Sequence, residues 1–305
     1  MAARYRNHIA TVPTFRDVRS QVGLLHRSGN RRIWGLGSQV VCRERPITAA
    51  ETPNDEFAIL EFLRENTKIP VQTGLYEWLD EESQVHFSLK TKIPGEPLDS
   101  LWPTLSWEEK ERMADETAEY LRELRGLTSE YYGRVEENGN VDALMFNYPQ
   151  PRAQGPFTTQ DELWSAMVAT LKGQIPQKAL IRLRAQMPEC LPWTYTHGDL
   201  NSNNIIVNDG HVVGILDWEW SGFFPRWWEY VKFRAGLSIW IDREWWDLLE
   251  FRLEKHSEAY EFYDKFHSLV WKVESNFGRM DPNKVKIGNS VLEELLEDES
   301  GVSLE

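Results

Sequence analysis

The residues best placed to do chemistry lie in one stretch, Thr196 to Glu219, which reads THGDLNSNNIIVNDGHVVGILDWE. It contains His197, Asp199, Asn204 and Asp217, with Asn204 five residues and Asp217 eighteen residues after Asp199. Between the last two lies IIVNDGHVVGIL, two short apolar runs around Asn208-Asp209-Gly210. That pattern predicts a tight β-hairpin. A hairpin of this length returns Asp217 to the neighbourhood of Asn204, so a carboxylate and an amide oxygen face a common space. Hard oxygen ligands of this kind make a plausible magnesium cradle. Asp199, close by, is a candidate base. Such a set suits transfer of a terminal phosphoryl group, which asks for positioning and charge neutralisation more than for a covalent nucleophile. Singly, an Asp or Asn beside glycine signals only a turn; the whole constellation around the hairpin is what carries the chemical reading.

The order His-Gly-Asp-x-x-x-x-Asn followed by Asp-Trp-Glu is similar to the catalytic loop H-R-D-x-x-x-x-N and the later D-F-G of protein kinases. The segment most resembles the aminoglycoside phosphotransferase family, the small-molecule relatives of those kinases, and within it the many fungal members. The likeness extends to EFAILEFLRENTKIPV (residues 56–71), FSLKTKIPGEPL (87–98), GPFTTQDELW (155–164) and WSGFFPRWWEYVKF (220–233), covering roughly residues 20 to 270. The resemblance implies an α+β, protein-kinase-like fold of two lobes. Residues 1–92 would form an antiparallel-sheet lobe with one helix facing a nucleotide, and 93–305 a mainly helical lobe. It implies ATP and Mg2+ as cofactors. Asp199 would orient and deprotonate an acceptor hydroxyl, His197 would brace the loop by hydrogen bonding, and Asn204 and Asp217 would hold the metal. The turn Ser28-Gly29-Asn30-Arg31 would cover the phosphates, and Glu56 would be the glutamate of the first helix that pairs with a strand lysine.

That lysine is missing. The third strand reads GSQVVCRER, and by resemblance Cys42 falls where the lysine belongs. Alternation of side chains along a strand sends Arg43 to the opposite face, unless a bulge intervenes. A second departure follows at the hinge, where Leu89-Lys90-Thr91-Lys92 replaces an apolar residue followed by an acidic one. Lys90 and Lys92 share a face by alternation. Three readings stand: a relocated lysine pairs with Glu56, the pocket no longer takes adenine, or both ammonium groups reach solvent along the strand.

These residues need elements to hold them. Residues 24–30, 32–36 and 39–45 read as antiparallel strands joined by Gly-containing turns. A helix is expected over residues 55–66, opened by Pro53-Asn54-Asp55, then strands over 74–79 and 85–93. After Pro94-Gly95 the pattern turns helical, with helices over 107–127, 159–175 and 176–187 and several more beyond Pro225.

Composition sets outer bounds. The 305 residues suffice for two cores, and 41% hydrophobic with 27% charged residues is ordinary for a soluble globular chain. No apolar run of membrane-spanning length occurs. The first 20 residues lack a secretory core, although their Arg-containing, nearly acid-free character is compatible with a presequence. Cys42 and Cys190 form no disulfide framework or zinc spacing, and a cytoplasmic protein with free thiols is the expectation. Residues 1–50 carry +7, leaving −21 on the rest of a chain whose net charge is −14. An acidic body argues against nucleic acid as partner. Of 14 tryptophans, Trp218, Trp220, Trp227, Trp228, Trp240, Trp245 and Trp246 follow the hairpin. Either they are core, or some line the acceptor side, where Trp218, Glu219, Trp220 and Trp227 are the candidates and a flat metabolite would suit them. Glu219, two positions after Asp217, could instead be a structural partner beside the metal site, and Glu229 is expected to be a buried ion-pair member with Arg226 or Arg234. The expected function is phosphorylation of a small molecule's hydroxyl, with no nucleic-acid or membrane partner. The alternative is a re-purposed kinase fold that catalyses a non-phosphoryl reaction or only binds a small molecule.

Overall fold

A computed structural model describes residues 22–29, 31–47, 56–136, 139–140, 142–146, 153–236, 240–276 and 281–297. The chain begins with β1 (Val22–Ser28), β2 (Arg31–Leu36) and β3 (Val40–Pro46), crosses α1 (Glu56–Asn66), and returns through β4 (Gly74–Asp80) and β5 (Val85–Thr91). These five strands form one antiparallel sheet in the order β1-β2-β3-β5-β4. The turn at Gly29, whose φ is 57°, closes Ser28 onto Arg31, a left-handed backbone that glycine adopts without steric cost. Asn30 lies outside the described residues. The β3–β5 register runs unbroken from Val40 opposite Thr91 to Pro46 opposite Val85, so alternation along β3 holds throughout.

β6 (Glu96–Pro97) leads out of the sheet into α2 (Leu98–Leu101) and the long α3 (Trp107–Arg125). Ser106 and Glu109 start α3 with a reciprocal capping box, which satisfies two otherwise orphaned N–H groups. β7 (Thr128–Ser129), α4 (Ala143–Phe146), α5 (Gln160–Met167) and α6 (Gln177–Ala185) follow. The helix expected over 159–175 ends early at Met167. Val168 leaves helical geometry at φ −89° and ψ 3°, and a series of turns carries the chain to Ile175. Next come β8 (Trp193–Thr196), the hairpin β9 (Ile205–Asn208) and β10 (His211–Ile215), and β11 (Gly222–Phe224). The region closes with α7 (Trp228–Gly236), α8 (Trp240–Glu250), α9 (Ser257–Ser275) and α10 (Pro282–Leu296).

β9 lies between β10 and β6, and β8 between β11 and β7, in two three-stranded sheets. One hydrophobic cluster runs through the helical region and takes in Ile59, Leu60 and Leu63 of α1. The first helix is thereby packed on both parts of the molecule. No helix among the described residues is long and apolar enough to cross a membrane.

Candidate active site

The loop between β8 and β9 and the hairpin that follows hold Asp199, Asn204 and Asp217 together. Asn204 donates from Nδ2 to the Asp199 carbonyl at 2.8 Å and to its carboxylate at 3.4 Å. The Leu216 N–H donates to the Asn204 carbonyl at 2.8 Å, which returns Asp217 beside Asn204. With its amide nitrogen committed to Asp199, Asn204 leaves its amide oxygen for another partner. Asp217 sits at φ 61° and ψ 58°, a left-handed conformation that few residues other than glycine, asparagine and aspartate adopt. The hairpin turn uses the same region at Asp209 and Gly210, with φ of 49° and 74°, as a type I′ turn requires.

His197 is fully buried. Its Nδ1 accepts from the Asp199 N–H at 3.1 Å, so Nε2 carries the proton and donates to the Leu216 carbonyl at 2.8 Å. Burial depresses its pKa to about 4, which keeps the ring neutral. It therefore ties the loop to the end of the hairpin and has no access to a reacting atom. Burial raises the Asp199 carboxyl to about 6, and the nearby Asp217 charge adds to that rise. Burial likewise raises Asp217, with Glu219 and Glu56 adding to the effect and Arg43 and Lys90 opposing it.

Glu229 of α7 accepts from the His197 N–H at 2.6 Å and the Gly198 N–H at 3.4 Å. It supports the loop from below and is no partner of Arg226 or Arg234, which pair with Glu254 and Glu250. This corrects the sequence expectation. Gly198 has φ +80°, and a Cβ there would stand 2.6 Å from the Trp220 carbonyl oxygen; only glycine fits between hairpin and loop.

The strand side of the cleft differs from expectation. Cys42 does not occupy the lysine position. It lies opposite Trp34 and Leu89, shares a face with Glu44, and is buried on the face opposite to Arg43. Arg43 faces them. It donates to Glu219 at 2.6 Å and lies 3.5 Å from both Asp217 and Glu56. No bulge is needed, because the face that resemblance assigned to residue 42 belongs to residue 43. Lys90 on β5 is buried and pairs with Glu56, the first of the three readings above, while Lys92 is exposed and donates its N–H to the Gln39 carbonyl. The two lysines part because β5 ends at Thr91, whose N–H donates to the Thr73 carbonyl and whose carbonyl accepts from Gln72 at 2.8 Å.

Arg31 reaches Glu219 at 2.8 Å and Arg45 at 3.5 Å. Burial alone would raise the Glu219 carboxyl, but Arg43, Arg31 and Arg45 hold it below its ordinary range. Glu219 is thus the hub of an ionic cluster between sheet and hairpin, and not a residue of the acceptor side. Trp218 and Trp227 leave that side too. Trp218 packs tilted against His197, with ring centroids 4.4 Å apart, and donates to the Ile215 carbonyl. Trp227 packs on Trp228 and Phe262. Of the four acceptor-side candidates, Trp220 alone is partly exposed without a cluster of its own.

The family model for the phosphotransferase enzyme family, APH, matches residues 24–266. The chain belongs to that family. It is a small-molecule phosphotransferase with a kinase-like fold. No curated protein matches its sequence significantly. Among solved structures it resembles a thermostable mutant of aminoglycoside phosphotransferase APH(4)-Ia in a ternary complex with ADP and hygromycin B. That pair has 15% identity, 93% and 95% coverage of the two chains, and a TM-score of 0.56. It also resembles the streptomycin–ATP complex of APH(2")-IIa, at 15% identity, 90% and 91% coverage, and 0.54. The GDP complex of aminoglycoside 2'-phosphotransferase-IIIa is similar at 18% identity, 92% and 94% coverage, and 0.55.

Proposed function

We propose that this phosphotransferase moves the terminal phosphoryl group of ATP to a hydroxyl of a small molecule, with Asp199 as base. The observation that carries the reading is the Asp199–Asn204–Asp217 set, held by Asn204 Nδ2 on Asp199 and Leu216 N–H on Asn204. In the step, the acceptor oxygen forms a bond to the γ-phosphorus, the bridging bond to the β-phosphate breaks, and ADP leaves. The hydroxyl proton passes to Asp199, whose carboxyl, with a pKa of about 6, is ionised at neutral pH and basic enough to take it. Structures of similar fold hold ATP, ADP or GDP, which supports a nucleotide as donor.

Asn204 and Asp217 offer the hard oxygens that magnesium prefers, too few for a closed protein cage. A set of one amide and one carboxylate fits an ion that takes its remaining ligands from phosphate and water. Among the described residues no group of three or more His, Cys, Asp or Glu forms a metal cage. Bound there, magnesium would neutralise the donor phosphates. Arg43 and Lys90 divide the work of the missing lysine. Lys90 pairs with Glu56, and Arg43 offers a guanidinium to the phosphates, which a planar fork binds in bidentate fashion. The alternative of Lys90 polarising a carbonyl is disfavoured, since Glu56 already engages its ammonium.

The test is ³¹P NMR of magnesium–ATP incubated with the protein and a panel of small hydroxylic compounds. A new phosphomonoester signal that Asp199→Asn slows by about 10²–10⁴-fold is the expected result. An ATP spectrum unchanged across the panel, together with no nucleotide binding, overturns the reading.

A further inference from the structure

Lys232 of α7 is partly buried beside the catalytic loop and is assigned no role in the step above. Its position on α7 and two contacts fix its place. Glu229, one turn earlier on the same face of α7, supports the loop N–H groups of His197 and Gly198, so this face lies against the catalytic loop. The Lys232 ammonium is 5.5 Å from the centroid of the Trp220 ring, and the Trp220 carbonyl abuts Gly198, the neighbour of Asp199. Its Nζ also donates to Asp142 Oδ2 at 2.7 Å.

Asp142 is a rigid anchor. Its carboxylate accepts from Trp228 Nε1 at 3.2 Å and from the N–H groups of Leu144 and Met145 at 2.9 and 3.1 Å, as well as from Lys232, and it is 2% exposed. Three neutral donors share its charge with the ammonium. An ammonium has three N–H groups; among the described residues one is hydrogen-bonded, and the group stands over a partly exposed aromatic ring. A fixed cation at the edge of a flat apolar surface attracts anions and repels cations.

We infer that Lys232, anchored by Asp142 above Trp220, is a specificity-determining residue, and that the acceptor is a flat hydroxylic molecule bearing a carboxylate or similar acid, not an amine. The inference rests on the phosphotransferase reading above, since it takes this half of the cleft as the acceptor side. Three probes of one shape test it, 4-(hydroxymethyl)benzoate, its amide, and 4-(hydroxymethyl)benzylamine, titrated calorimetrically without nucleotide.

The benzoate should bind at least about tenfold more tightly than the amine, and added salt should weaken the benzoate and not the amide. Lys232→Met should erase the preference and Lys232→Arg restore it. The salt arm uses the unaltered protein, so poor folding of a variant does not blunt the test. Equal binding of all three, preference for the amine, a benzoate preference that survives in Lys232→Met, or no binding of any probe at about 10 mM overturns the inference. Loss of the kinase reading shows separately, as failure to bind magnesium–ATP.

Discussion

Glu229 shows how a residue remote from the reacting atoms sets the geometry of the one that acts. Its buried carboxylate takes two N–H groups of the loop that carries Asp199. In Glu229→Ala both N–H groups of the loop lose the one carboxylate oxygen, Oε2, that accepts them. We expect the variant to lose about 1–3 kcal/mol of stability and to lower kcat more than KM, checked by urea unfolding and steady-state kinetics. An unchanged kcat would contradict the role. Asp199, Asn204 and Asp217 were legible in the sequence because one hairpin ties them together and their spacing is local. Glu229 was misread as an ion-pair member because its partners are backbone N–H groups on another element, which side-chain types do not reveal. Arg43 was misplaced for a different reason. Resemblance put Cys42 in the lysine position, and the alternation rule, correct in itself, then sent Arg43 to the wrong face. The unbroken β3–β5 register, which would have settled the matter, depends on pairing between residues 39 to 51 positions apart.

At the scale of elements, the hairpin β9–β10 and the loop before it must approach until backbone meets backbone at Gly198. Gly198→Ala combines a left-handed φ of +80° with a Cβ 2.6 Å from the Trp220 carbonyl. The φ penalty alone is about 1–2 kcal/mol, and the clash with backbone adds to it, so we predict a lowered thermal midpoint and near loss of transfer. Gly210 provides the contrast. Its φ is +74°, but a Cβ there meets only the end of the Arg112 side chain, so Gly210→Ala should cost close to the φ penalty and leave transfer largely intact. Equal effects at the two sites would argue against loop–hairpin contact as the positioning device. While Pro53, Asn54 and Asp55, expected to open α1, lie outside the described residues, the hairpin was readable from its turn residues and α1 from its apolar period. The helix expected to Ile175 was not: Val168 and Thr170 are β-branched and Gly173 takes φ +80°, and these local preferences won over the apolar period.

Across the whole molecule, charge joins the sheet to the helical region, since Arg31, Arg43 and Arg45 all reach Glu219. The uneven charge along the sequence was read only for what partners it excludes, and the convergence on one carboxylate appears only in the fold. One buried and one half-buried histidine add a pH dependence to global stability. His197 and His267 have pKa values near 4 against an ordinary 6.5, both through burial. As pH falls below 6.5 the unfolded chain takes protons first, so stability present above 6.5 is lost toward pH 4, by up to about 3 kcal/mol apiece. Asp199 acts in the opposite sense. Raised to about 6, it binds its proton first in the folded state and gains stability as pH falls through 6 toward its ordinary value. Comparison with His267→Gln isolates one histidine, and urea midpoints at pH 7 and 5 should differ less in the variant than in the parent. An equal difference would contradict the assignment. The most direct test of the account as a whole is calorimetric titration of magnesium–ATP into the parent protein, Cys42→Ala, Arg43→Met and Arg43→Lys. The account predicts binding that Cys42→Ala preserves, that Arg43→Met weakens by at least about tenfold, and that Arg43→Lys partly restores. Absence of binding to the parent, or a loss that follows Cys42 and spares Arg43, would contradict it.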